Sequence, residues 1–106
     1  MQPGYVVVYF SAPAKARSRQ EWQSSLDRVW PDVVAELRTN PGFKGAAALW
    51  NLDDSGQVSV IGQWENMEYR KAYEKRSSPQ LRALMDTLFR DVPSRPRLLV
   101  THAATG

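Results

Sequence analysis

The stretch Val58–Tyr73, VSVIGQWENMEYRKAY, contains the strand-to-helix junction around which we expect the chain to fold. Its first half alternates apolar and polar residues, as a half-buried strand does. Asn66 then stands where its side-chain oxygen can cap the free N–H groups of a following helix. The junction places Trp64 beside a helix that carries two phenols, Tyr69 and Tyr73. This set predicts either the wall of a pocket for a flat aromatic ligand or ordinary core packing.

The composition is that of one ordered globular domain over residues 1–106, with 42% hydrophobic residues and four Trp. No run of about 18 apolar residues is present, so we expect no membrane span, and the N-terminus lacks the basic region of a signal peptide. The absence of cysteine excludes disulfides and thiolate metal sites and fits a cytoplasmic protein. A single histidine excludes a histidine-based metal cluster. The net charge of +3 is scattered among acids, so we expect no nucleic-acid partner.

Four segments have the residue patterns of strands. The first is rich in β-branched and aromatic residues, which is typical of a strand buried on both faces. The second contains small residues that leave room above a sheet, and it leads through a hairpin loop at 53–56 into the third. Gly56 in that loop can adopt positive φ. The predicted strands are Gly4–Ser11, Phe43–Leu52, Gln57–Trp64 and Arg97–His102.

A first helix is predicted by the capping box at 18–21, where Ser18 and Glu21 are three residues apart. Apolar residues then recur at spacings of three and four as far as Leu37, and an Asn-Pro-Gly turn ends the helix. Pro31 removes one helical hydrogen bond, so we expect a kink or a break near Trp30.

A second helical region is predicted in two pieces, Met67–Arg76 and a restart at which Ser78 caps and Pro79 takes the first position. A stiff linker at 92–96 follows. The order β-α-β-β-α-β predicts a ferredoxin-like α+β domain with an antiparallel sheet and both helices on one face. The other face would expose apolar side chains, so we expect a homodimer that buries about 800 Å² or more per partner.

Three segments together resemble the antibiotic biosynthesis monooxygenase (ABM) domain family: PGFKGAAALWN at 41–51, VSVIGQWENMEYRKAY at 58–73 and SSPQLRALM at 77–85. The shared features are a Pro-Gly-Phe turn into the second strand, Trp-Glu at the end of the third strand, and Ser-Pro before a Leu-Arg pair. The order and spacing of these features carry the resemblance. It implies a ferredoxin-like domain that dimerises through its sheets as a dimeric α+β barrel.

The family includes monooxygenases that need no cofactor and use O₂ to oxidise anthrone-type polyketide intermediates, as well as quinol oxygenases and haem-degrading enzymes. The resemblance implies catalytic roles for Trp64 as an aromatic wall, Arg82 as an oxyanion donor, and Tyr73 or Tyr69 as a proton donor or relay. Val60 stands where anthrone-oxidising members carry Asn. The axial His and the strand-one Asn of haem-degrading members are absent from this chain.

Five residues are candidates for lining a substrate cavity: Tyr69, Trp50, Asn51, Tyr9 and His102. His102 is also a candidate base. Each has an alternative role in packing or at the surface. We weigh three functions: a cofactor-independent monooxygenase on an aromatic polyketide, phenolic or quinol substrate, a non-catalytic accessory or cyclase-like binding protein in aromatic polyketide biosynthesis, and an RNA-binding domain. The residue at position 60 favours the second function. The third strand lacks the basic, aromatic motif of RNA-recognition domains, which argues against the third.

Overall fold

The core of the fold is one antiparallel sheet of four strands in the order β2-β3-β1-β4. The computed structural model describes residues 1–54, 56–76, 78–90 and 96–106. The sheet comprises β1 (Val6–Pro13), β2 (Phe43–Trp50), β3 (Gln57–Trp64) and β4 (Arg97–Val100). The helices are α1 (Arg19–Arg38), α2 (Met67–Arg76) and α3 (Pro79–Asp86). The predicted fold class, α+β with ferredoxin-like element order, is confirmed.

The predicted starts of all three helices are confirmed by their caps. The side-chain oxygens of Ser18, Asn66 and Ser78 each accept the backbone N–H three residues further on, at 3.0–3.1 Å. Each cap satisfies one of the N–H groups that a helix start leaves without a partner. Ser78 also donates to the carboxylate of Glu36 at 2.9 Å, which ties the start of α3 to α1.

The helix α1 runs unbroken through Pro31, so the break that was one expected outcome does not occur. Pro31 is exposed, whereas Trp22, Val29 and Val33 on the opposite stripe are buried. Burial of this stripe offsets the loss of one helical hydrogen bond.

The ends of three strands differ from the prediction. β1 continues to Pro13 because the hairpin-side end of β3 pairs with it as far as Gln57. β2 ends at Trp50 and β4 at Val100, two residues earlier than expected. Positions 92–95 of the predicted linker lie outside the described residues. Among the described residues, no helix combines the length and apolar character needed to cross a membrane.

All three helices pack on the same face of the sheet. Because side chains alternate along a strand, the even-numbered residues of β1 and β3 point to that face. The opposite face carries an apolar band that includes Val7 and Ile61 in the central strands and Leu49 and Leu99 at the edges. Leu49 and Leu99 are about half exposed.

The turn into β2 depends on Gly42, which has a φ of +81°. The ring of Tyr69 lies directly against this glycine, and a Cβ there would overlap the ring. The Gly42 carbonyl also accepts the N–H of Glu65 at 2.8 Å, just after β3. A residue without a side chain is therefore required for α2 to approach the start of β2.

We predict that Gly42→Ala lowers the free energy of unfolding by about 2 kcal/mol or more, because a strained φ and an overlap with Tyr69 add together. Gly56→Ala is the matched control: φ at Gly56 is +93°, but nothing lies within 4 Å of the added Cβ. The control is expected to lose about 1 kcal/mol. Urea unfolding measures both, and equal losses in the two variants would contradict the role given to Tyr69.

Candidate functional site

A cavity of about 540 Å³ lies between the sheet and the helices. This volume is in the range of small-molecule sites, which are mostly apolar with a few polar groups. Ala46 and Gly62, paired across β2 and β3, form a part of the wall with almost no side chain. Ala46 is one of the small β2 residues that were expected to leave room above the sheet, and Gly62 of β3 adds to that room. The larger apolar side chains in the wall are Val8, Phe10, Val33, Leu37, Phe43, Val60, Leu81 and Met85.

The central aromatic side chain of the cavity is Trp64, which ends β3 and is 1% exposed. Its ring centroid lies 5.5 Å from that of Phe43 and 4.9 Å from that of Tyr73. Trp64 is therefore both core and cavity wall, the two alternatives that the sequence left open. Replacing a buried Trp by Ala costs about 3–5 kcal/mol, so a functional test requires the milder Trp64→Phe.

Arg70 is a site residue that the sequence analysis missed. Its guanidinium carbon lies 4.9 Å from the ring centroid of Tyr73 and 5.9 Å from that of Trp64, within the range of cation–π contacts. The side chain is 12% exposed, and its Nε donates to the carboxylate of Glu74 at 3.1 Å. The sequence contained one signal for this role: Arg70 lies three residues before Tyr73, and residues at that spacing share a helix face.

Tyr73 lines the cavity with a half-buried phenol. Burial raises the pKa of Tyr73 above its ordinary value, and the positive charge of Arg70 offsets part of that rise. At neutral pH the phenol therefore keeps its proton, so its O–H is available to donate to a ligand. The described residues that line the cavity include no carboxylate and no imidazole.

A smaller polar pocket of about 220 Å³ shares Tyr73 and Ser78 with the cavity. Glu36 lines this second pocket and accepts from Ser78. Arg76 donates to the side chain of Asn40 at 2.9 Å at the same place. Polar groups thus adjoin the cavity on the far side of Tyr73. In the described part of the chain, no three His, Asp or Glu side chains cluster as a metal site would require.

Of the residues singled out from the sequence, Trp64, Tyr73 and Arg82 come together around the cavity. Arg82 differs from the other two because its side chain is 70% exposed, with Nε 3.9 Å from the carboxylate of Asp86. It lies at the rim, whereas Arg70 supplies the cation next to the aromatic rings.

Tyr9 and Tyr69 do not line the cavity. Tyr9 is an odd-numbered residue of β1, so it lies on the face away from the helices, where its Oη is 3.3 Å from Oγ of Ser59. Tyr69 lies against Gly42, one helix position before Arg70. A substrate-binding role for these phenols has no support in the geometry of this cavity.

Trp50, Asn51 and His102 also lie outside the cavity. Trp50 packs on Trp22 with ring centroids 5.6 Å apart, so it fills the core between β2 and α1. Asn51 follows β2, and its N–H donates to Gln57 in the hairpin. His102 is exposed beyond the end of β4. These three residues lie near the sheet but outside the part of it that lines the cavity, so they would not contact a ligand bound there.

Comparison with known proteins gives relationships through structure alone. No protein-family model matches the sequence, and no curated protein does. An asparagine-to-alanine variant of SnoaB, a cofactor-independent oxygenase from Streptomyces nogalater, is 16% identical with a TM-score of 0.66, over 95% of this chain and 96% of that one.

Two proteins from Nitrosomonas europaea are also similar. One, provisionally assigned as an antibiotic biosynthesis monooxygenase, is 13% identical with a TM-score of 0.64, over 100% of this chain and 98% of that one. The other, NE2512, a protein of unknown function, is 16% identical with a TM-score of 0.63, over 95% of this chain and 92% of that one. The chain therefore has the fold of ABM domains along nearly its whole length, which confirms the resemblance at the level of fold.

We predict that one of the four tyrosines ionises late in a spectroscopic titration of tyrosinate, and that Tyr73→Phe removes this late component. Because the folded state keeps the proton of Tyr73 to a higher pH than the unfolded chain does, stability should fall as pH rises above about 10. Arg70→Gln should move the late component still higher, since it removes a positive charge. Tyr69→Phe is the control, and loss of the late component there would refute the assignment.

Proposed function

We propose that the chain is a cofactor-independent monooxygenase that uses O₂ on an anthrone-type polyketide, phenolic or quinol substrate, and that it acts in the cytoplasm as a homodimer. The observation that carries the proposal is the apolar cavity in which Trp64, Tyr73 and Arg70 lie together. The similarity in fold to SnoaB, described as a cofactor-independent oxygenase, supports it.

The proposed reaction requires only a few roles of the protein. A substrate anion is electron-rich enough to reduce O₂ itself, so the cavity has to exclude water, hold the ring and stabilise negative charge. For an anthrone, the ring methylene becomes a carbonyl: one oxygen atom enters the product, and the other leaves as water with the two hydrogens. Trp64 would form part of the apolar wall that positions the ring, and the protonated Tyr73 would donate to a substrate oxygen.

A homodimer would cover the outer face of the sheet. Leu49 and Leu99 in the apolar band there are about half exposed, while the helices occupy the other face. Exposed apolar patches of this kind mark interaction surfaces. A second copy packed through the same face would give the dimeric α+β barrel that the resemblance implies.

A non-catalytic accessory or cyclase-like binding protein in aromatic polyketide biosynthesis is the alternative. Two observations favour it: Val60, which lines the cavity, stands where anthrone-oxidising members carry Asn, and no described lining residue is a carboxylate or imidazole that could take a proton. Under this proposal the cavity would bind the same flat ligands without consuming O₂.

The test of catalysis is O₂ uptake by metal-free protein with anthrones, naphthols and quinols. We expect uptake above the uncatalysed rate, reduced about tenfold or more in Trp64→Phe and Tyr73→Phe, because each removes a positioning or donor group. Ala46→Leu should also block uptake by filling the cavity, whereas Ala35→Leu on the exposed side of α1 is its matched control.

Ligand binding without O₂ uptake would favour the accessory role. Quenching of Trp fluorescence reports binding independently of turnover. Uptake that survives Ala46→Leu would refute the cavity as the site of reaction, provided that the variant unfolds at the same temperature as the wild type.

The dimer is tested by Leu49→Lys, which places a charge in the apolar band on the outer face of the sheet. We expect sedimentation to show a dimer for the wild type and a monomer for this variant, because an unpaired buried charge is costly. Leu52→Lys is the control, since Leu52 lies in the hairpin loop and is 81% exposed. A wild type that sediments as a monomer would refute the dimer.

A further inference from the structure

We infer that the cavity takes its aromatic ligand as an anion, with Arg70 as the counter-ion, and that none of the described side chains lining the cavity takes the ligand's proton. The substrate class is therefore flat aromatics whose phenol or enol is acidic enough to lose its proton to water. The reaction of that anion with O₂ rests on the proposed function, but the binding preference does not and can be tested separately.

The charge of Arg70 lies in a largely buried environment. A guanidinium that is nearly nine-tenths buried is expensive unless negative charge or π-electron density compensates it. The faces of Tyr73 and Trp64 supply part of that compensation, at 4.9 and 5.9 Å. Glu74 supplies another part through Nε. An anion lying in the cavity would face the same guanidinium.

The charges around the cavity are unevenly distributed. Of the described residues that line it, two are charged, Arg70 and Arg82, and both are cationic. Glu74 is half exposed, and Glu36 on α1 faces Tyr73 from the adjoining pocket. The strands contribute no charged lining residue among those described. The described charged side chains at the cavity are thus positive, Arg70 beside the aromatic rings and Arg82 at the rim, and Glu36, Glu74 and Asp86 are not among the lining residues.

Ionisation of a bound phenol or enol requires a group that takes its proton. No described lining residue is a carboxylate or imidazole, and Tyr73 keeps its own proton at neutral pH. A bound phenol or enol would therefore break its O–H bond by passing the proton to water, and the electron pair would stay on the ligand oxygen. A positive charge within about 4–6 Å lowers the pKa of such an acid by about 1–3 units. Arg70 would thus promote ionisation that would otherwise need a base.

The probe is 4-nitrophenol, whose anion has a distinct visible absorption and which titrates near neutrality. We expect its pKa to fall by about one unit or more when it is bound. The uncharged isostere 4-nitroanisole should bind more weakly than the anion. Failure of the anion to bind at millimolar concentration, or a bound pKa equal to or above that of the free probe, would overturn the inference.

Two single variants should shift the bound pKa in opposite directions. Arg70→Gln should remove the depression, whereas Glu74→Gln, which frees Arg70 from its half-exposed partner, should deepen it. Arg82→Gln is the matched control for loss of one arginine at the same cavity, and it should change the pKa much less. A depression lost in Arg82→Gln and kept in Arg70→Gln would overturn the assignment.

The variants also separate this inference from the proposed activity. Arg70→Lys keeps the charge but not the planar stack, so it should retain part of the depression even if the packing of α2 weakens. An unchanged pKa in Glu74→Gln, a conservative change at a half-exposed residue, would count against the inference independently of folding. A lowered pKa without O₂ uptake would retain the anion site and reject the oxygenase.

Discussion

The packing of Trp64 against α2 is the interaction on which the rest of the structure depends. No residue of α2 is buried, so this helix has no apolar stripe that could hold it to the sheet. Its attachment comes from Tyr73 and Arg70 on the Trp64 ring and from Tyr69 on Gly42. The buried ring of Trp64 at the end of β3 therefore positions the helix, and with it the polar groups of the cavity.

The contact of Arg70 with Trp64 affects both the stability of the fold and the proposed function. The cation that stacks on Trp64 to fix α2 is the same cation that faces the cavity, so removing it affects both. A buried guanidinium is retained when its charge is compensated, and the aromatic faces, Glu74 and a bound anion can share that role. The pKa of Tyr73, raised by burial and lowered by Arg70, reflects the same balance between an apolar surrounding and one nearby charge.

The two faces of the sheet separate two roles. The helix-covered face holds the core and the cavity, with Ala46 and Gly62 leaving space where larger side chains would fill it. The opposite face holds Val7, Leu49 and Leu99, and none of the helices that the structure describes packs on it. Because side chains alternate, neighbouring residues of one strand serve different roles: Val8 lines the cavity, while Val7 and Tyr9 belong to the outer face.

The sequence by itself determined the element order, the caps at Ser18, Asn66 and Ser78, and the aromatic junction at Trp64. These depend on local hydrogen bonding and on apolar periodicity, which a linear pattern records. Only the tertiary structure decided which polar residues meet. Arg70 reaches the cavity and Tyr69 does not, although they are adjacent, because 100° of helical rotation separates neighbouring side chains on α2 and the docking angle decides which one faces the sheet. That angle is set by Gly42 and Trp64, which are distant in sequence from each other and carry no local signal of the contact.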